Sequence, residues 1–228
     1  MEDQISPVDD SIAFHGDILE FNLSTGQKAH IRRSSLIFAS GEFSLKTKRI
    51  AKRRFGIFAL FSGQVRWANV YEAKTDHVQL LAGRDFFGTV GSIAVSPGLP
   101  VHLKPGLYLG HQGELTFNTK RVATKEFWTM NEISGTGTVF FKMPGRPLLK
   151  PMSASPDIVD TNYVTAISGP FEAHGKVFSS GEVMKSGEME NVKLNGDGVI
   201  VFQSENPADS GGGRGGGFIQ TILDILPF

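Results

Sequence analysis

A chain of 228 residues with 23 basic and 23 acidic side chains carries no net field that would draw it to nucleic acid or a membrane surface. The absence of cysteine excludes disulfides, thiolate metal sites and a cysteine nucleophile, and suits a cytoplasmic protein. Twenty-seven glycines and 18 phenylalanines suit short strands joined by tight turns, in a chain long enough for one all-β core of roughly 200–250 residues.

Residues 1–10 are polar and acidic and read as a flexible tail, neither a secretory signal nor an Arg-rich transit peptide. No apolar run approaches the ~20 residues of a membrane helix. From Ile12 to Lys48, short alternating segments are broken at Gly16, Thr25-Gly26, Ser34 and Ser40-Gly41, the spacing of hairpins. This opens the first of three expected β-repeats, residues 11–75. Ser24–Lys48 lies without a gap on Ser96–Lys120, 72 positions later, with seven identical pairs that include His30/His102, Glu42/Glu114 and Lys48/Lys120. The apolar pairs Ala29/Val101, Ile31/Leu103, Ile37/Leu109, Phe43/Leu115 and Leu45/Phe117 are all odd-numbered, the period of a strand with one buried face. His30 and His102 are even-numbered and are expected on the opposite, solvent face.

Nine basic residues fall between positions 28 and 54 against the single acid Glu42. Lys28, Arg32, Arg33, Lys48, Arg49, Lys52, Arg53 and Arg54 are the candidates for contact with RNA or another anion. The alternative is a solvated edge strand, where lysine opposes edge-to-edge pairing. Aromatics do not alternate with these charges as a stacking platform requires, which favours the edge strand.

Phe55–Val70 is β-rich and expected to pair inside a sheet; Lys74–Asp76 is a turn, and a second repeat, residues 76–142, opens at His77. Its closing segment Ile133–Lys142 is echoed by Leu194–Gln203, 61 positions on. Gly-x-Gly there leads into a strand, not a helix, so a glycine turn or bulge is expected and not a phosphate loop. Proline-rich Met143–Asp157 joins a fainter third repeat, residues 143–207, in which Ile158–Ala173 lies on Leu103–Phe117 with one inserted residue. The expectation is three related β-units in one compact core, residues 11–207.

Residues 208–217 form a glycine-rich linker to an amphipathic segment, 218–228. Phe218, Ile219, Ile222, Leu223, Ile225 and Leu226 would share one side of a short C-terminal helix, which is too short to stand alone. It is expected to dock on its own core or a neighbouring subunit, with a partner protein as the alternative. The lack of basic residues weighs against a membrane surface.

No catalytic constellation emerges. The six histidines have no metal-ligand spacing, and Gly169–Val177 has Val177 where a P-loop needs Ser or Thr. Ser179-Ser180-Gly181 lacks the first glycine of a nucleophile elbow. Catalytic residues, cofactor and metal are all expected to be none.

The turns and strands at Val101–Phe117, Val159–Ile167 and Leu194–Ser204, with the glycine-rich tail, carry a resemblance. Over about Ile12–Glu205 the chain resembles the altered-inheritance-of-mitochondria (AIM) type of TRAP-like β-proteins, a domain family without an assigned activity. The resemblance implies three β-sandwich (double-stranded β-helix-like) repeats similar to the tryptophan-RNA-binding attenuator fold. It also implies a ring-like homo-oligomer, a trimer first of all, and in a fungal branch a link to mitochondrial membrane organisation. The first repeat departs from the pattern in lacking the second glycine of its closing motif. No catalytic or ligand-binding residue carries over. Together these readings point to a non-enzymatic oligomeric scaffold or binding protein, with an RNA- or anion-binding module next and an enzyme working in the β core third.

Overall fold

The computed structural model describes residues 11–51, 67–84, 87–122, 128–175 and 191–205, and these form strands and turns with no helix. The fold is all-β, and every pairing between its strands is antiparallel. The expected tail 1–10, linker 208–217 and helix 218–228 lie outside the described residues, as do Lys52, Arg53 and Arg54.

Strands β1 (Ile12–His15), β2 (Ile18–Leu23), β7 (Val78–Ala82) and β4 (Leu36–Ser40) form one sheet in the order β1-β2-β7-β4. β7, expected to open a second repeat, instead pairs with β2 and β4. β3 (Lys28–Arg32), β6 (Trp67–Ala73) and β5 (Phe43–Arg49) lie side by side, with β5 at the end of a ten-stranded sheet. β8 (Thr89–Val95), β9 (Val101–Leu103), β10 (Tyr108–Arg121) and β11 (Thr129–Met143) follow. β12 (Pro147–Pro151), β14 (Val164–Ser168) and β17 (Val199–Gln203) continue that sheet. β13 (Asp157–Asp160), β16 (Asn191–Gly196) and β15 (Phe171–His174) make a three-stranded sheet.

One pairing scheme recurs. β4 meets β7 with Leu36 opposite Ala82 and then Phe38 opposite Leu81, skipping Ile37. β10 meets β11 with Tyr108 opposite Phe141 and then Gly110 opposite Phe140, skipping Leu109. β14 meets β17 with Val164 opposite Phe202 and then Ala166 opposite Val201, skipping Thr165. The glycine that follows each bulge, Gly41, Gly113 or Gly169, has φ of 89°, 87° or 90°, a left-handed backbone that only glycine adopts without strain. The glycines of the two closing segments behave differently from one another. β11 runs unbroken through Gly135 and Gly137, where a turn or bulge was expected, whereas Gly196–Gly198 does separate β16 from β17.

Two junctions link these schemes. β10 adds to β3 with Gly110 opposite Ile31 and His111 opposite His30. β14 adds to β9 with Ala166 opposite Leu103 and Ile167 opposite His102. The apolar cores interlock accordingly. Phe21, Ile31 and Leu80 take in Leu109 and Phe140; Leu103, Tyr108 and Phe117 take in Ala166 and Val201; Val164, Ile167 and Leu194 take in Met130.

The odd-numbered apolar face is buried at Ala29, Ile31, Val101, Leu103, Leu109 and Phe117 but exposed at Ile37 and Leu45. The even-numbered histidines are the second departure: His30 and His102 are buried, not solvent-facing. Alternation separates two faces of a strand, but at β3 and β9 the added strand and its neighbours cover both.

Candidate functional site

The even-numbered side chains of β3, β6 and β5 share one face of the sheet, and their register sets three rows across it. Lys28 lies opposite Glu72 and Glu72 opposite Ser44; His30 opposite Val70 and Val70 opposite Lys46; Arg32 opposite Ala68 and Ala68 opposite Lys48. Lys28, His30, Lys46, Lys48, Val70 and Glu72 line a groove of about 300 Å³, with Glu114 of β10 at its side. Lys28, Lys46 and Lys48 form no ion pair within 4 Å among the described residues.

His30 forms the floor. Its ring stacks on His111, with centroids 4.1 Å apart and planes 9° apart. The Tyr108 hydroxyl and His111 Nδ1 share a hydrogen bond of 2.6 Å. Burial, then His30 and Lys48, holds His111 well below the ordinary imidazole range. Burial, then Lys48 and Lys28 against a counter-pull from Glu114, also lowers His30. His30 Nδ1 is buried with no hydrogen-bond partner. Both rings are therefore neutral near pH 7.

The same rows recur on β9, β11 and β10 with different side chains. His102 lies opposite Glu132, and Glu132 opposite Asn118. Glu132 Oε2 takes His102 Nε2 at 3.2 Å and Lys120 Nζ at 3.1 Å, so one carboxylate serves imidazole and ammonium together. Burial would raise that carboxyl, but hydrogen bonds and charge from Lys120 and His102 bring it below its usual value. In the first set the position of Glu132 is held by Val70 and that of Asn118 by Lys46. The groove has gained a cation and lost the acid at the Glu132 position, with Glu72 and Glu114 still among its lining residues.

Of the basic residues singled out by sequence, the structure brings Lys28 and Lys48 to this groove. Arg32 is turned away, its Nη1 donating to Gly106 O at 2.8 Å, and Arg49 Nε donates to Ala51 O at 3.1 Å. Arg33 is exposed in the turn after β3. Sequence reasoning missed His30 and Lys46 as members. Both sit at even positions beside Lys28 and Lys48, a signal legible only once β3 and β5 are known to flank the same strand. Among the described residues, no group of three or more His, Asp or Glu side chains could hold a metal ion, and no helix is long and apolar enough to cross a membrane.

A second feature lies at two of the sheet edges, β4 and β13. Among the described residues, β4 ends one sheet and β13 ends another, each with one edge unpaired. Their counterparts by register, β10 and β14 for β4 and β3 and β9 for β13, are the strands joined at the two junctions. Leu109 of β10 is wholly buried, whereas Ile37, its counterpart, is 59% exposed and Phe38 beside it 46%. His30 and His102 are buried, whereas Ile158, which the strand register sets at their position and not at that of Leu103, where the sequence alignment puts it, is 54% exposed.

A family model described as mitochondrial biogenesis AIM24 matches residues 13–205. No curated protein matches the sequence significantly. Seven chains of solved structure do match. One of them is an X-ray structure of a protein from Streptococcus pyogenes, with 17% identity and a TM-score of 0.66 over 94% of this chain and all of that one. At that identity the likeness speaks for the fold alone.

Proposed function

The chain belongs to the mitochondrial biogenesis AIM24 family, and from that premise we propose that it is a non-enzymatic cytoplasmic scaffold whose copies join edge to edge into a homo-oligomer. In this reading the core consists of three related units, β1–β7, β8–β11 and β12–β17. The first boundary falls after β7, not at residue 75, because β7 pairs with β2 and β4. Support comes from the bulge shared by the three strand pairs and from the two junctions that repeat the same register.

One observation carries the oligomer. The strands that make the internal junctions are buried, and the two left over, β4 and β13, expose apolar side chains where those are covered. Repeating the junction register places Phe38 of one copy opposite Val159 of the next, and Ala39 opposite Ile158. Burying Ile37, Phe38 and Ile158 would contribute roughly 1.5–3 kcal/mol each. A head-to-tail contact of this kind closes into a ring or runs on as a filament, and a trimeric ring is the form we expect.

Size-exclusion chromatography with light scattering tests this directly. The wild-type chain is expected at a fixed multiple of the protomer mass. Phe38→Lys and Ile158→Lys should each reduce it to one protomer. Leu148→Lys, at a still more exposed apolar position on β12, should leave the mass unchanged. A wild-type chain that stays monomeric at all concentrations overturns the proposal.

A further inference from the structure

We propose that the groove on β3, β5 and β6 is a binding site for a compact oxyanion of the phosphate class, carried free or as the terminal phosphate of a small molecule. The argument rests on the contrast between two sheet faces of the same register. On β9–β11–β10 the protein supplies its own anion: the Glu132 carboxylate bridges His102 and Lys120 at 3.2 and 3.1 Å. On β3–β6–β5 the matching histidine and lysine, His30 and Lys48, are kept, but the carboxylate position belongs to Val70. Lys46 now stands where the other face has Asn118, and Lys28 adds a third ammonium to the groove. Three lysines and a buried imidazole line a groove in which Val70 has replaced the central acid, with Glu72 and Glu114 remaining at its sides.

The chemistry favours phosphate over a carboxylate. One carboxylate satisfies the two donors of the Glu132 arrangement, whereas three ammonium groups and an imidazole match a dianion with three free oxygens. The groove, at about 300 Å³, exceeds the ion itself and leaves room for a small organic body. Glu72 and Glu114, at its sides, can accept hydrogen bonds from hydroxyl or amino groups of that body. The same two acids repel a continuous polyanion, which separates this site from an RNA track.

Titration calorimetry with inorganic phosphate on the full chain decides the matter. Saturable binding is expected for the wild type. Val70→Glu, which copies the arrangement of the other face, should weaken it at least ten-fold, and Val70→Ile should not. Lys46→Asn, at a solvent-facing position and also copied from the other face, should weaken binding several-fold and serves as the deciding variant if Val70→Glu does not fold. Flotation with phosphatidylcholine vesicles containing phosphatidic acid separates the sources. Binding to vesicles that Val70→Glu and Lys46→Asn abolish, without binding of free phosphate, assigns the oxyanion to a lipid headgroup. Competition by free phosphate assigns it to a soluble ligand. Phosphate binding equal in wild type, Val70→Glu and Lys46→Asn overturns the proposal. So does the absence of binding in both assays, or affinity for long RNA alone.

Discussion

At the scale of single residues, the chain buries ionisable groups where strands join. His30, His102 and His111 are all held below the ordinary imidazole range, chiefly by burial. In the unfolded chain an imidazole titrates near 6.5. Between that value and the lower folded ones the unfolded state binds more protons, so stability is full above about pH 6.5 and falls as the pH drops below it. Thermal unfolding at pH 7.5, 6.0 and 5.5 should show a falling midpoint, and His111→Phe should flatten the decline. A midpoint constant across that window would count against neutral buried histidines. Lys142 is a different case. It is almost wholly buried, and its Nζ donates to Asp17 Oδ2 at 2.9 Å and to Arg84 O at 3.3 Å. The hydrogen bond and charge of Lys142 hold the Asp17 carboxyl below its usual value. Asp17→Asn removes the Asp17 charge from the buried ammonium and is expected to cost about 1–3 kcal/mol in urea unfolding. Lys142→Met, which removes the charge with its cavity still filled, should cost less.

At the scale of elements, the bulge-and-glycine unit governs how β10 lies on β11. Gly113 combines φ of 87° with a backbone so close that a Cβ would stand 2.3 Å from Thr136 O. Gly98 has a similar φ of 81° and open space around it. Gly113→Ala should therefore destabilise by more than the ~1–3 kcal/mol of backbone strain, and Gly98→Ala by strain alone. Equal shifts of the denaturation midpoint in the two variants would refute the contact argument. Strand existence was legible from alternation, and the duplication of Ser24–Lys48 in Ser96–Lys120 was legible from identity. The division of one copy into β4 and β5 was legible from the turn residues Ser40-Gly41, but the unbroken run of β10 through Gln112-Gly113 in the other was not. The serine-glycine turn at Ser40-Gly41 and the glutamine-glycine pair at Gln112-Gly113 share a φ near 90° but differ in what pairs across them.

At the scale of the whole molecule, balanced charge conceals a segregation, with nine of the 23 basic side chains gathered between positions 28 and 54 against the single acid Glu42. If copies join through β4 and β13, the melting temperature should rise with protein concentration in the wild type and not in Phe38→Lys. A concentration-independent wild type would contradict the edge-to-edge assembly. By itself the sequence determined that the protein is all-β, that Ala29, Ile31, Val101 and Leu103 face a core, and that a basic strip spans positions 28–54. These are consequences of local period and composition, which need no partner strand. Tertiary structure alone decided which lysines share a face, because Lys28 on β3 and Lys46 and Lys48 on β5 come to one groove only by flanking β6. It also decided that His30 is buried and Ile37 exposed, against the alternation. Burial depends on what lies over a strand, and that is fixed by pairings between residues as distant as His30 and His111.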